Sequence, residues 1–321
     1  MPEVNNFLAV VDLGGTKILS AILNHNAEII SIAKKSTNST NKNETIFSRI
    51  IATIEEALEG KNLNSNQLDG IVIGVPGSLN PETGIVNLAP NLGLKKVNVI
   101  KTIENHFNKK VLIENDANLG TIGIYHFEGK QNCKNLIAIF VGTGVGAGIV
   151  VDGKLYRGKN FSAGEIGHIK IKENGYKCGC GNYGCLETEA SRTAITRIIN
   201  EEIDRGKESI ITTLIENRNV IKSGILAQAL KKKDKVTIKA VEHAAEELGL
   251  LTGNLINMFD FDCVFFAGGV MEAIGNFMLP IIKKKAKESA LKSNIKNTKI
   301  LLSHLKDDAA LLGGFALFKN L

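Results

Sequence analysis

Apolar residues fall into two kinds of run along this chain. Short unbroken runs read as buried strands: Leu8–Val11, Ile18–Leu23, Gly70–Val75, Val111–Glu114, Leu136–Val141, Gly148–Val151, Cys263–Ala267 and Lys299–Ser303. Between them lie stretches with helical spacing. Ile46, Phe47, Ile50, Ile51, Ile54, Ala57 and Leu58 recur at three- and four-residue intervals, with Asn43 as an N-cap and Gly60 as a stop. Val241, Ala244, Ala245, Leu248, Leu251, Leu255 and Phe259 form one stripe over Ile238–Phe259. Glu189–Ile203, Glu272–Ser289 and Asp308–Phe318 also read as helices. Such alternation predicts an α/β architecture in which helices cover the sheets.

Composition narrows the picture. At roughly 100–200 residues per domain, a chain of 321 residues suggests two domains. Apolar residues at 44% and charged residues at 22% exclude a mainly disordered chain. The net charge of +6 comes mostly from lysine, and aromatics at 5% with no Trp point away from stacking platforms for single-stranded nucleic acid. Met1-Pro2-Glu3-Val4-Asn5-Asn6 has neither the basic nor the apolar part of a signal peptide. The longest uncharged stretch, Leu136–Val151, is too short to span a membrane and holds four glycines. A cytoplasmic protein with no membrane partner is therefore expected. Five cysteines, an odd number, fit a reducing compartment, where a tight cluster more often means metal than disulfide.

Two glycine turns share a layout. Asp12-Leu13-Gly14-Gly15-Thr16-Lys17 and Val141-Gly142-Thr143-Gly144-Val145-Gly146 both read as strand, turn, strand. This fits two domains of similar design, and it equally fits unrelated turns in an α/β protein. Glycines let backbone N–H groups approach an anion closely. Better-known phosphate motifs do not hold. Gly153-Lys154-Leu155-Tyr156-Arg157-Gly158-Lys159-Asn160 nearly matches a P-loop, but Asn160 replaces the magnesium-binding hydroxyl and no helix is signalled. Gly142–Ala147 fits a loose dinucleotide fingerprint, but a strand follows where a helix is required. No H-R-D loop of a protein kinase exists. What remains is two hairpins with Thr16 and Thr143 at their tips. Lys17 is a cation beside the first, and Asp12 could position Mg²⁺ there. An Asp12–Lys17 ion pair at a hairpin is the plainer alternative.

His168 precedes Cys178-Gly179-Cys180-Gly181-Asn182-Tyr183-Gly184-Cys185. One imidazole and three thiolates make a closed Cys₃His set suited to tetrahedral Zn²⁺, a structural site rather than one that activates water. The competing reading is a chance trio of buried cysteines. Cys133 and Cys263 read as ordinary core residues. Asn115-Asp116 closes the strand Val111–Glu114, where a carboxylate suits chemistry in an open α/β sheet, although Asp116 also suits the N-cap of the next helix. Glu165 and Glu187 flank the cysteine segment.

Taken together, these pieces resemble the sugar kinases of the ROK family (repressors, open reading frames and kinases), closest in type to bacterial ROK glucokinases. The matching residues are Asp12–Lys17, Gly74-Val75-Pro76-Gly77, Glu114–Asn118, Val141–Gly148, Ala163–His168, Cys178–Glu187 and Gly268-Gly269-Val270. They run in the family's order over nearly the whole chain. The resemblance implies an actin-like, hexokinase-type fold of duplicated ribonuclease H-like α/β domains around a central cleft. Residues 1–117 plus 305–321 would form the smaller domain and 118–304 the larger. It further implies ATP with Mg²⁺ as donor, a structural Zn²⁺ on His168, Cys178, Cys180 and Cys185, and a homodimer or homotetramer.

By the same resemblance, Asp116 is the general base that takes the proton of the sugar's 6-hydroxyl. Gly77, Asn91, Asn115, Glu165, His168 and Glu187 hold the sugar. Asp12, Gly14, Gly15, Thr16, Lys17, Thr143, Gly144, Gly268 and Gly269 hold the nucleotide. Glucose is the expected acceptor. N-acetylmannosamine and N-acetylglucosamine stay open, because Ser78 is small where the sugar's 2-position is sensed, and fructose is a further alternative within the family. Pro90-Asn91-Leu92-Gly93-Leu94 lacks the second proline and the tryptophan that the family often carries here, which leaves the shape of that rim open. A polyphosphate donor is also open.

The family's repressors carry a DNA-binding segment ahead of the first glycine loop. Eleven residues precede Asp12, too few for one. Lys231-Lys232-Lys233 and Lys283-Lys284-Lys285 lie in helical stretches without interleaved Arg or aromatics and read as solvated faces, so no nucleic-acid partner is expected. A non-catalytic sugar sensor is the alternative from another class. Asp116 argues against it, since binding alone needs no base.

Overall fold

The computed structural model describes residues 7–37, 45–130 and 132–321. Its chain divides into two compact units. One comprises Met1–Glu128, Leu155–Ala163 and Asp307–Leu321, the other Gly129–Lys154 and Gly164–Lys306.

The first apolar run becomes strand β1 (Phe7–Leu13), buried along almost all its length. Its neighbours are β2 (Lys17–Leu23), β3 (Ile29–Ser36), β4 (Leu68–Val75) and β8 (Lys110–Asn115), in the order β3-β2-β1-β4-β8. β1 and β2 form an antiparallel hairpin, while β1, β4 and β8 run parallel. Side chains alternate across a strand. Phe7, Ala9, Val11 and Leu13 therefore join one core with the helices Ile46–Glu59 and Val99–Phe107, whereas Leu8 and Val10 join another with the helices Asp116–Ile124 and Asp308–Lys319. This parity places Asp12 on the face covered by the helix that starts at Asp116. On the same face of β4, Gly70 leaves room for Phe318, and Gly74 lets the first turn of the Asp116 helix approach. A small antiparallel sheet of β5 (Ser78–Asn80), β6 (Ile85–Ala89) and β7 (Leu94–Asn98) follows β4.

In the second unit, β9 (Leu136–Val141) and β10 (Val145–Val151) form the hairpin. β12 (Cys263–Ala267) and β13 (Lys299–Leu302) continue the sheet in parallel, and β11 (Lys154–Leu155) ends its other edge. Both large sheets thus have the same plan: a hairpin whose first strand is extended by two parallel strands. This favours similar design over chance for the two glycine turns. The strand after the second turn is β10, so no dinucleotide-binding helix opens there. The helices Arg192–Asp204, Ser223–Lys231, Lys235–Phe259 and Gly269–Ser289 bury one core against this sheet.

Three sequence expectations are modified. Asn43 and Met1–Asn6 lie outside the described residues, and the first helix is capped by Thr45, whose side chain accepts from the Ser48 N–H. The helix expected over Glu189–Ile203 is two helices, Glu187–Ala190 and Arg192–Asp204. Ser191 between them is extended, and its hydroxyl caps the second by accepting from the Ala194 N–H, the local competition with helix that serine offers. Cys133 and Cys263 are not separate core residues but a disulfide pair, with Cα atoms 5.9 Å apart.

Candidate active site

The first unit gathers its predicted residues around the C-terminal ends of β1, β4 and β8, with Asn91 in the turn after β6. In the hairpin, the Gly14 N–H donates to the Lys17 carbonyl at 2.8 Å, and the Gly14 carbonyl accepts from the Thr37 hydroxyl at 2.6 Å. The Thr37 N–H donates to the Thr16 carbonyl. Asn91 packs on Gly15, where an added Cβ would stand 3.5 Å from the Asn91 Cβ. Lys17 pairs with Asp307 rather than with Asp12. Burial pushes the Asp12 carboxyl up to about 7; the nearby charge of Asp116 pushes the same way, while Lys17 opposes it.

The next helix shows which residue caps it. Asn115 is the N-cap, its Oδ1 accepting from the Asn118 N–H at 3.1 Å, and its Nδ2 reaches the Gly77 carbonyl at 3.4 Å. Asp116 is the first helical residue, with Oδ1 accepting from the Ala117 N–H at 2.9 Å. Capping therefore does not account for Asp116, and the acid sits where the helix dipole favours negative charge.

The second unit holds the other hairpin. The Gly142 N–H donates to the Gly144 carbonyl at 2.9 Å. The Thr143 hydroxyl accepts from Arg192 Nη2 at 2.7 Å, and its carbonyl accepts from the Thr193 hydroxyl at 2.8 Å. Glu187 Oε2 accepts from the Val145 N–H at 3.0 Å and occupies the space a Cβ on Gly144 would need. At the end of β9, Gly268 has φ +89° and lies so close to Val141 that a Cβ would stand 2.8 Å from its carbonyl oxygen. Only glycine tolerates both constraints. Gly269 opens the 21-residue helix, and the space beside it is open. Such a helix start offers unpaired N–H groups to an anion.

His168, Cys178, Cys180 and Cys185 bring their ligand atoms within 4.8 Å of one another. Metal–sulfur bonds of about 2.3 Å and a metal–nitrogen bond of about 2.0–2.1 Å imply tetrahedral edges of about 3.8 Å between sulfurs and about 3.5 Å between sulfur and nitrogen. The Cys180–Cys185 sulfurs are 3.8 Å apart, and Cys178 Sγ lies 3.5 Å from His168 Nδ1. The donor set thus fits a tetrahedral ion. Burial pushes the Cys178 thiol up to about 12 and the Cys185 thiol upward, while the Asn182 backbone N–H lowers Cys180. Three crowded thiols do not ionise together without a cation among them. One glycine of the segment is required by its contact with Lys172. Gly184, at φ +75°, lies where a Cβ would collide with the Lys172 carbonyl. The cluster also touches the predicted carboxylates. His168 Nε2, the ring nitrogen turned away from the sulfurs, is 3.9 Å from Glu165 Oε2, and Cys178 Sγ is 3.8 Å from Glu187 Oε1.

A profile of the ROK family matches residues 8–321. The chain belongs to the ROK family. Among ROK relatives it is 34% identical over 311 residues to a glucokinase of Halalkalibacterium halodurans, covering 97% of this chain and 94% of that protein. It is also 33% identical over 307 residues to the xylose repressor of Caldicellulosiruptor bescii, covering 96% of this chain and 76% of that protein. In structure it is similar to the ROK glucokinase of Streptomyces griseus, solved with glucose and AMPPNP, with a TM-score of 0.86, 28% identity and coverage of 97% and 99%. The ROK fold is the actin-like sugar-kinase fold of two α/β halves. The family spans kinases and repressors, so the reaction rests on the site.

Sequence reasoning gave no role to Arg192, Asp307, Glu114 or Arg157. Glu114 carried a signal, a lone acid ending an apolar strand. The others are reached only across 49, 290 and 43 residues of chain from the groups they bond.

Proposed function

We propose that this chain is an ATP-dependent hexose kinase that phosphorylates the 6-hydroxyl of glucose. The observation that carries the proposal is Asp116, placed at the first position of a helix whose capping is done by Asn115. Its carboxylate accepts the 6-hydroxyl proton as that oxygen attacks the γ-phosphorus; the bond to the β–γ bridging oxygen breaks, giving glucose 6-phosphate and ADP. Asn115, Asn91, Gly77, Glu165, His168 and Glu187 are the residues we assign to orienting the sugar and holding its hydroxyls. Backbone N–H groups of Gly14, Gly15, Thr16, Thr143 and Gly144 receive the phosphates, beside Asp12 and Lys17, and Gly268 and Gly269 lie toward the nucleoside. Mg²⁺, when bound with ATP, spreads the charge of the transferring group.

Zn²⁺ on His168 Nδ1, Cys178, Cys180 and Cys185 would be structural. Through His168 it sets the side of the ring turned to Glu165, so it shapes the sugar pocket without joining the reaction. Among the described residues no helix is long and apolar enough to cross a membrane. The substrates would be a small sugar and a nucleotide, and the use of ATP as donor is what makes the cytoplasm the compartment we assign to the enzyme.

The repressor relative supports a second reading, a sugar sensor without turnover. Measuring ADP release with glucose, mannose, fructose and the N-acetylated hexosamines separates the two. Glucose is expected to give the highest kcat/KM, and release with none of them would leave only the sensor. Replacing Asp116 with Ala is expected to lower turnover by roughly 10²–10⁴-fold while glucose binding stays measurable. Turnover at the wild-type rate would remove Asp116 as the base. Cys180→Ser should leave the purified protein without stoichiometric zinc and weaken glucose binding by about tenfold. Native protein free of zinc on metal analysis would end the ligand assignment.

A further inference from the structure

Glu114 is the acid buried most deeply beside the proposed base, with a side chain 2% exposed. A carboxylate so far from water is costly unless it is both paired and hydrogen-bonded. Among the described residues, the bonds of this carboxylate lead to the start of the Asp116 helix and to Arg157. Its Oε1 accepts from the Asn115 N–H at 3.0 Å and from Asn118 Nδ2 at 2.9 Å. Those residues stand on either side of Asp116 and are themselves joined by the capping bond. Its Oε2 accepts from Arg157 Nε at 2.6 Å. Arg157 is thus the counter-charge of the group that brackets the base.

Arg157 is also anchored through its backbone. Its carbonyl accepts from the Ala163 N–H at 3.0 Å and closes a loop over Arg157–Ala163. Left-handed residues at both Gly158 and Phe161 bend that loop. The chain then passes directly into Gly164-Glu165. A lysine at 157 would keep the charge but could not present a planar N–H at the Nε position.

We propose that Arg157 is a positioning residue for phosphoryl transfer: it neutralises and orients Glu114, which fixes the first turn of the helix and thereby the Asp116 carboxylate. This rests on Asp116 being the base. The role requires an effect on the chemical step with little effect on binding, since misplacing a reacting group by about 1 Å costs on the order of 10²-fold in rate.

The test uses the full chain with ATP and its best acceptor sugar. Arg157→Ala is expected to lower kcat by roughly 10²-fold while KM for both substrates stays within about threefold. Guanidinium at tens of millimolar should restore part of the lost kcat in this variant and none in the wild type, and sodium chloride at the same ionic strength should restore nothing. Arg157→Lys should fall between wild type and Arg157→Ala. Glu114→Gln should also lower kcat, and combining it with Arg157→Ala should cost no more than the worse single change, because both remove one interaction. Wild-type kcat in Arg157→Ala overturns the proposal, as does a loss that guanidinium fails to restore. If Arg157→Ala does not fold, Arg157→Lys decides: reduced kcat at unchanged KM supports the proposal, and unchanged kcat overturns it. Asp116→Ala distinguishes the two levels. Full turnover in that variant ends the assignment of the base, whereas its inactivity beside a fully active Arg157→Ala ends only the role of Arg157.

Discussion

At the scale of single residues, Asp12 is held against its own ionisation. Strand parity puts it on the face shared with Asp116, and its carboxyl is pushed from 3.8 up to about 7 by burial first and by Asp116 second. A native state that keeps a proton which the unfolded chain gives up near 3.8 loses stability as pH rises through about 7. Without added Mg²⁺, Asp12→Asn should therefore match the wild type in denaturant unfolding at low pH and exceed it above neutrality. The gap should reach on the order of 2–4 kcal/mol. Equal pH dependence of the two proteins would refute the burial. This carboxylate, the cysteine cluster and Asp116 were legible as residue types at telling positions. What was hidden was who pairs with whom. Lys17 bonds Asp307 instead of the neighbour five positions earlier, and Thr143 is held by Arg192. Ion pairs follow from the folded path of the chain, and sequence proximity carries little information about them.

At the scale of elements, the helices Asp116–Ile124 and Asp308–Lys319 meet through glycine. A Cβ on Gly313 would fall on the Leu119 carbonyl oxygen, and one on Gly123 on the Ala309 carbonyl oxygen. Both obstacles are backbone, which cannot rotate aside. Gly313→Ala should destabilise by roughly 1–3 kcal/mol despite its better helix propensity. Gly224, in the helix Ser223–Lys231, has nothing within 4 Å of such a Cβ. There the same substitution should stabilise by about 0.4–1 kcal/mol. Unfolding midpoints of the two variants moving in the same direction would contradict this account. Elements were legible according to their surroundings. β1, β9 and β12 were found because strands covered on both faces keep unbroken apolar runs. β3 and β7 were missed because they carry exposed and charged positions, β6 because its apolar run is broken by exposed positions, and β5 because it is only three residues long. The Asp116 helix could not be delimited from periodicity, because Asn118–Ile124 is buried all round.

At the scale of the whole molecule, the repeated sheet plan explains a bond that the sequence concealed. Cys133 lies just before β9, and Cys263 begins β12, whose first residue pairs in parallel register with Leu136. Parallel neighbours start at the same edge of a sheet, so residues 130 apart in the chain meet at one end of it. The loop entering β9 is tied to β12 a second time by Asp262, whose Oδ2 accepts from the Lys134 and Asn135 N–H groups at 2.9 and 2.8 Å. Those two bonds remain when the disulfide is opened, so reduction should loosen the unit without unfolding it. Because the cross-link constrains a long segment of the unfolded chain, Cys133→Ser with Cys263→Ser should cost about 2–4 kcal/mol. Thiol titration of denatured, metal-stripped protein should count the three cysteines of the cluster before reduction and all five after it. Five before reduction would show the pair to be open thiols, and the double variant should then unfold at the wild-type midpoint. Zinc retention in that variant provides the control, since the cluster draws on none of the same sulfurs.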